Sequence, residues 1–364
     1  AKFVRYERDP DAGAPWYARA VGVDSGLGDP TDSERAEWLR EDLLGYTFTE
    51  VDQLYEPGAT GPQITAALNA GRSLLNYLGH GSGSSWSNPA FTVTDVHALA
   101  NGWRQPWIVD VSCANGRFSD PECFAEAWLR AGDPDQPHGA VAMYSASTTT
   151  PWVPPTVMQA EVVDLLTTGQ ADEIGALYQH GIMKVLDTYP GEIGQQLVEQ
   201  YNIFGDCTLQ VRTAPPRQLL VEHAGSLAVG VPVFPLQVDV PGATVALTAP
   251  GRLLGSAVAD ADGRATVVLA EPPTVPGTLT LTVSGRNLLP HRESLPVTAP
   301  LTVQVDDKTR PYGDANPILT ARYEGFVNGE DANRFSRSQG AVIIPQRQPT
   351  ASPATASRCV PNHA

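Results

Sequence analysis

Leu74-Leu75-Asn76-Tyr77-Leu78, closing on Gly79-His80-Gly81, and Trp107-Ile108-Val109-Asp110-Val111-Ser112, closing on Cys113-Ala114-Asn115-Gly116, decide how this chain is read. Each is a short apolar run that ends in a small-residue loop, the pattern of a strand buried on both faces. His80 and Cys113 follow the two runs at the same offset. In an open α/β sheet the carboxyl ends of the strands carry ligands and chemistry. A histidine on one such end and a cysteine on its neighbour are the least that a base-activated thiol nucleophile requires.

The surrounding pattern extends this reading over residues 1–212. Apolar runs at 21–23, 73–78, 108–111 and 140–144 read as strands. Helical patterns at 32–44, 61–70, 120–131, 157–167, 174–187 and 191–201 lie between or after them. Thr31 or Asp32 is a cap candidate for the first, and a proline opens the second. Strands separated by helices of this length imply crossovers and a mostly parallel sheet.

From Pro215-Pro216 the periodicity changes. Runs at 226–229, 236–240, 243–248, 254–259, 265–269 and 279–283 alternate, with turn signals every 8 to 12 residues. Asp262-Gly263 reads as a hairpin turn between two of them. The expected organisation is an α/β domain over 1–212 and an immunoglobulin-like β-sandwich over 215–300. A partial β repeat over 301–345 and a disordered tail over 346–364 follow.

The chain has 364 residues and a net charge of −16. Residues 1–212 hold 28 acidic and 12 basic side chains, so the whole imbalance lies there. That field repels nucleic acid and anionic membrane and attracts basic peptides. No window has the roughly 20 apolar residues of a membrane span. Four cysteines without a CxxC pair make neither a disulfide scaffold nor a structural zinc site. The opening Ala1–Tyr6 reads as the middle of a domain, so an upstream piece is expected.

Several stretches resemble, in order and spacing, the catalytic domain of gingipain-type cysteine peptidases (peptidase family C25, of the caspase-like clan). They are Asn76–Gly81, Val111–Gly116, Cys123–Trp128 and Tyr201–Val211, with Tyr55–Thr60 and Gly139–Tyr144. The likeness runs from residue 1 to about 212. It implies a caspase-like, mostly parallel sheet flanked by helices, an N-terminal subdomain ahead of residue 1, and an immunoglobulin-like domain after the catalytic one. Pro311–Asn316 and Tyr323–Gly329 resemble the start of a bacterial adhesin-type repeat. The implied activity is that of a bacterial cysteine endopeptidase, secreted or on the cell surface, acting on protein or peptide substrates. It needs no cofactor, has no catalytic metal and makes surface or matrix contact through its β domains.

Cys113 is the expected nucleophile, against the rival reading of a core cysteine. His80 is its general base or its imidazolium partner. Backbone N–H groups of Gly81 and Cys113 are the oxyanion donors. Asp24, at the end of the 21–23 run, is the expected acid behind the imidazole, since the family places an acidic group in the matching loop. Asp110 is less suited, lying inside its strand. By resemblance Trp152 flanks the pocket for the residue before the cut. No Asp or Glu lies between Pro137 and Glu161, so a charge that holds a basic residue there comes from Asp29 or Asp32. Structural calcium, common in the family, would find carboxylates at Asp29/Asp32/Glu34 or Asp133/Asp135. Two other functions fit the same residues: an adhesion or assembly protein with a secondary peptidase domain, and a processing transpeptidase with the same dyad.

Overall fold

The computed structural model describes residues 2–299 and 302–325, so the expected tail, Cys359 and residues 326–345 lie outside the described residues. Two compact units are present: Ala1–Leu220 with Val283–His291, and Val221–Thr282 with Arg292–Ala364.

The first unit opens with α1 (Lys2–Arg8), β1 (Arg19–Asp24), α2 (Asp32–Gly45), β2 (Glu50–Tyr55), α3 (Gly61–Ala70) and β3 (Leu74–Leu78). A small hairpin of β4 (Ser85–Ser87) and β5 (Ala90–Thr92) follows, then α4 (Val93–His97), β6 (Trp107–Val111), α5 (Phe124–Arg130) and β7 (Ala142–Ala146). The unit continues through α6 (Pro154–Thr167), α7 (Ile174–Thr188), α8 (Glu192–Gln200) and β8 (Tyr201–Gly205). Six of these strands form one sheet in the order β2-β1-β3-β6-β7-β8, parallel except for β8, which runs antiparallel at the edge.

Local chemistry explains the boundaries. α2 starts on a capping box, with Thr31 accepting from the Glu34 N–H and Glu34 bonding back to Thr31. α3 and α6 start on prolines, whose fixed φ suits a first turn and whose missing N–H costs nothing there. β3, β6 and β7 are buried at every residue because helices cover both faces of the sheet. Alternate side chains serve alternate cores. Leu74, Leu78, Trp107 and Val109 pack with residues of α2, α6, α7 and α8. Leu75, Tyr77 and Ile108 pack with Ile64, Leu68, Phe124 and Trp128 of α3 and α5. Each such aliphatic side chain contributes about 1.5–3 kcal/mol by leaving water. The expected helix over 120–131 is shorter, because Asp120 to Cys123 form the loop that leads to its cap.

The second unit is all β: β9 (Val221–His223), β10 (Leu227–Ala228), β11 (Val233–Val238), β12 (Thr244–Ala249), β13 (Arg252–Val258), β14 (Arg264–Val268), β15 (Gly277–Ser284) and β16 (His291–Thr298). They form a five-stranded sheet, β10-β16-β15-β12-β13, and a three-stranded one, β14-β11-β9. β17 (Thr302–Val305) and β18 (Ala321–Glu324) pair with each other. The Asp262-Gly263 turn does not close a two-stranded hairpin: β13 and β14 on either side of it belong to different sheets. Asp260 makes the corner instead, its Oδ1 accepting from the N–H groups of Asp262 and Arg264.

Candidate active site

Three neighbouring strands end at one level. Asp24 of β1 lies opposite Leu78 of β3, and Leu78 lies opposite Val111 of β6. The chain leaves β1 for β2 on one side, while β3 and β6 extend the sheet on the other, so the strand order switches direction here. Such a point opens a crevice for ligands. Backbone bonds carry the register past the strand ends, with the Ser25 N–H on the Leu78 carbonyl (3.0 Å) and the Gly79 N–H on the Val111 carbonyl (3.1 Å). His80 and Cys113 therefore stand at equivalent positions on adjacent strands.

The Cys113 turn is tightly specified. Ala114 has a φ of +59°, a left-handed conformation that is strained for a side-chain-bearing residue. The Ala114 N–H donates to the Thr148 carbonyl (2.9 Å) and the Gly116 N–H to the Ala146 carbonyl (2.8 Å). These bonds pin the turn to the end of β7. Cys113 is half-buried, and its Sγ accepts from the Thr150 N–H at 3.4 Å. Gly81 is a glycine for a visible reason: a Cβ there would lie 2.4 Å from the Cys113 carbonyl oxygen and 2.6 Å from Ser112 Oγ. Among the described residues, neither the Gly81 nor the Cys113 N–H donates to a protein acceptor outside the strands.

His80 is exposed, its carbonyl fixed by the Tyr77 hydroxyl (2.9 Å) and the Ser87 N–H (3.0 Å). Its ring meets the Trp152 indole edge-on, with centroids 4.6 Å apart. The Trp152 indole N–H donates to Asp32 Oδ1 at 3.1 Å, and the Ser25 hydroxyl donates to Oδ2 at 2.5 Å. Asp32 opens α2, where the helix dipole favours its negative charge, although burial raises its pKa. One loop after β7 thus touches the cysteine through Thr150, and the histidine and a buried carboxylate through Trp152.

The two other acids of the loop are placed differently. Asp29 is exposed. Asp24 is fully buried, and its Oδ1 accepts from the Gly26 N–H and the Ser33 hydroxyl, both at 2.8 Å. Its Oδ2 has no partner among the described residues. Burial pushes the Asp24 carboxyl up to about 6, against those two bonds. The expected calcium ligands are already engaged: Glu34 in the helix cap, Asp32 with Ser25 and Trp152, and Asp133 Oδ1 with the N–H groups of Asp135 and Gln136. Among the described residues neither set brings three ligand atoms together, so these carboxylates do not fit a calcium site.

Sequence reading overlooked Thr150, Ser25 and Ser33, because isolated hydroxyl residues carry no spacing signal.

The model of peptidase family C25 matches residues 1–212. The chain belongs to peptidase family C25. Residues 301–356 match the MBG domain (YGX type). Gingipain R2 of Porphyromonas gingivalis is 32% identical over 296 residues, which cover 78% of this chain and 40% of that protein. Lys-gingipain of the same organism is 26% identical over 322 residues, covering 79% and 18%. The chain thus spans about two fifths or less of the length of these relatives. The crystal structure of the Arg-specific cysteine proteinase gingipain R matches with a TM-score of 0.78 at 30% identity, covering 81% of this chain and 71% of that one. No helix among the described residues is long and apolar enough to cross a membrane.

Proposed function

We propose that the C25 unit is a cysteine endopeptidase that cuts after a basic residue, using Cys113 as nucleophile and His80 as base. The observation that carries this reading is the loop 147–152, which joins the cysteine, the histidine and the buried Asp32 carboxylate. His80 takes the thiol proton as Cys113 Sγ attacks the scissile carbonyl carbon. The oxyanion of the tetrahedral intermediate accepts from the Gly81 and Cys113 N–H groups. His80 then returns the proton to the leaving amine, and a water activated by the same ring hydrolyses the thioester.

Asp32 receives the cationic head of the residue before the cut, and Trp152 lies along its stem. Asp29 is exposed and stands outside that pocket in this reading. Asp24, with one oxygen unpartnered, serves as the acid behind the imidazole. Secretion, and surface contact through the MBG-type segment, accompany the peptidase in this reading. A metal or cofactor plays no part in the steps described.

The test is labelling by a peptidyl chloromethylketone with arginine or lysine at its reactive end. Cys113→Ala should abolish labelling, and His80→Ala should slow it by about 10²-fold or more, as removal of a general base does. Unchanged labelling of Cys113 in the His80 variant would sink the dyad. Product analysis with an added amine separates hydrolysis from transfer.

A further inference from the structure

Asp110 is an acid of the site that is fully shielded from water, and the mechanism above does not use it. A carboxylate taken out of water costs several kcal/mol unless donors surround it. Here they do. The Trp86 indole N–H donates to Oδ1 at 2.9 Å and the Ser145 hydroxyl to Oδ2 at 2.5 Å. These two bonds, with the nearby Ser112 and Asn115 side chains, oppose the upward push of burial on its pKa.

The origin of these donors matters more than their number. Ser112 and Asn115 flank Cys113 on either side. Trp86 belongs to β4, the first strand after His80, and pairs with Gly81 across an isolated bridge. The Asn115 amide completes a second link, donating to Ser112 Oγ (2.9 Å) while its Oδ1 accepts from the Gly83 N–H (3.1 Å). The loop after His80 is thus tied to the buried Asp110 through Trp86 and to the Cys113 turn through Asn115. Ser145 differs, because the ladder between β7 and β8 already fixes its backbone.

We infer that Asp110 is a positioning residue, anchoring the His80-bearing loop through Trp86 to the strand that carries Cys113, beside the Asn115 link between that loop and the Cys113 turn. It touches neither substrate nor the reacting atoms. A displacement of about 1 Å between nucleophile and base costs about 10²-fold in rate, and a buried network that fixes their separation guards against that loss. The inference rests on the Cys113–His80 reading.

The experiment uses the full chain and measures kcat and KM on an arginyl or lysyl amide, with iodoacetamide alkylation of Cys113 as a readout free of specificity. Asp110→Asn keeps the shape and should lower kcat about 30- to 100-fold with KM within about threefold. Trp86→Phe and Ser145→Ala each delete one bond to the same carboxylate. Only the first loosens the His80 loop, so kcat should fall about tenfold in Trp86→Phe and less than about threefold in Ser145→Ala. Should Trp86→Phe fail to fold, Asn115→Ser replaces it, with the same tenfold expectation. Equal losses in the two arms, or a loss carried by KM, would overturn the network. A wild-type thiol no more reactive than glutathione would instead refute the dyad, which keeps the two failures apart.

Discussion

The six-stranded sheet of the first unit and the strands of the second solve the same problem in different ways. β3, β6 and β7 bury every residue, so neither face can hold a reactive side chain in contact with water. β14 alternates buried and exposed residues along its whole length, and β11 nearly so, leaving one side of each strand open. A sheet covered on both faces has only its strand ends for chemistry, and His80, Cys113 and Asp24 all sit at or just beyond them. Strands with one open side offer broad surface without a crevice, which suits spacing and contact.

Gly81→Ala should break this contrast most severely. The added methyl would strike the Cys113 carbonyl and Ser112 Oγ beyond the strand ends that carry His80 and Cys113. Turnover should fall by about 10³-fold or more, with the melting transition still cooperative. A loss below tenfold would mean that the two loops have slack.

Next in size is a core deletion in the β unit. Leu281 is fully buried there, and Leu281→Ala should cost about 2–5 kcal/mol in that unit's unfolding. Alkylation of Cys113 should stay at the wild-type rate. If the thiol slows in step, the division of labour between the units is wrong.

Asp32 comes third. Asp32→Asn should raise KM for arginyl and lysyl substrates by about 10- to 100-fold, the cost of losing one charged partner. It should leave iodoacetamide alkylation nearly unchanged. Equal losses on neutral substrates would remove Asp32 from specificity.

The smallest effect is a matter of pH. Asp24 holds its proton to about pH 6 in the folded chain, whereas the unfolded value is 3.8. The folded state therefore binds more protons between these values, and stability from this group is present below pH 4 and lost as pH rises through 6. Asp24→Asn should flatten the melting temperature over that window. A variant that keeps the wild-type slope would show that Asp24 does not titrate there. The same variant tests its orienting role, because that role predicts a fall in kcat as well.

The sheet was legible where apolar runs were continuous, as at Leu74–Leu78 and Trp107–Val111. β2 escaped because Glu50, Asp52 and Gln53 make an edge strand look like a loop, and β8 escaped because only Tyr201 of its residues is buried. The placement of Cys113 and His80 just beyond neighbouring strand ends could be read from the two apolar runs. The roles of Trp86 and Asn115 could not, since a buried indole in an aromatic core and an asparagine after a turn are each ordinary alone. What joins them is a carboxylate placed by register, and register is not written in any local pattern.

In the proposed reading the bond between Trp152 and Asp32 makes the indole a placeholder ligand, which occupies the acid until a better donor arrives. A guanidinium or ammonium entering the pocket performs an exchange, releasing one hydrogen bond as it forms a stronger, charge-assisted one. A substrate with a neutral side chain has nothing to offer in trade and leaves the resting partner in place. In that reading discrimination is set by the difference between two donors for one acceptor.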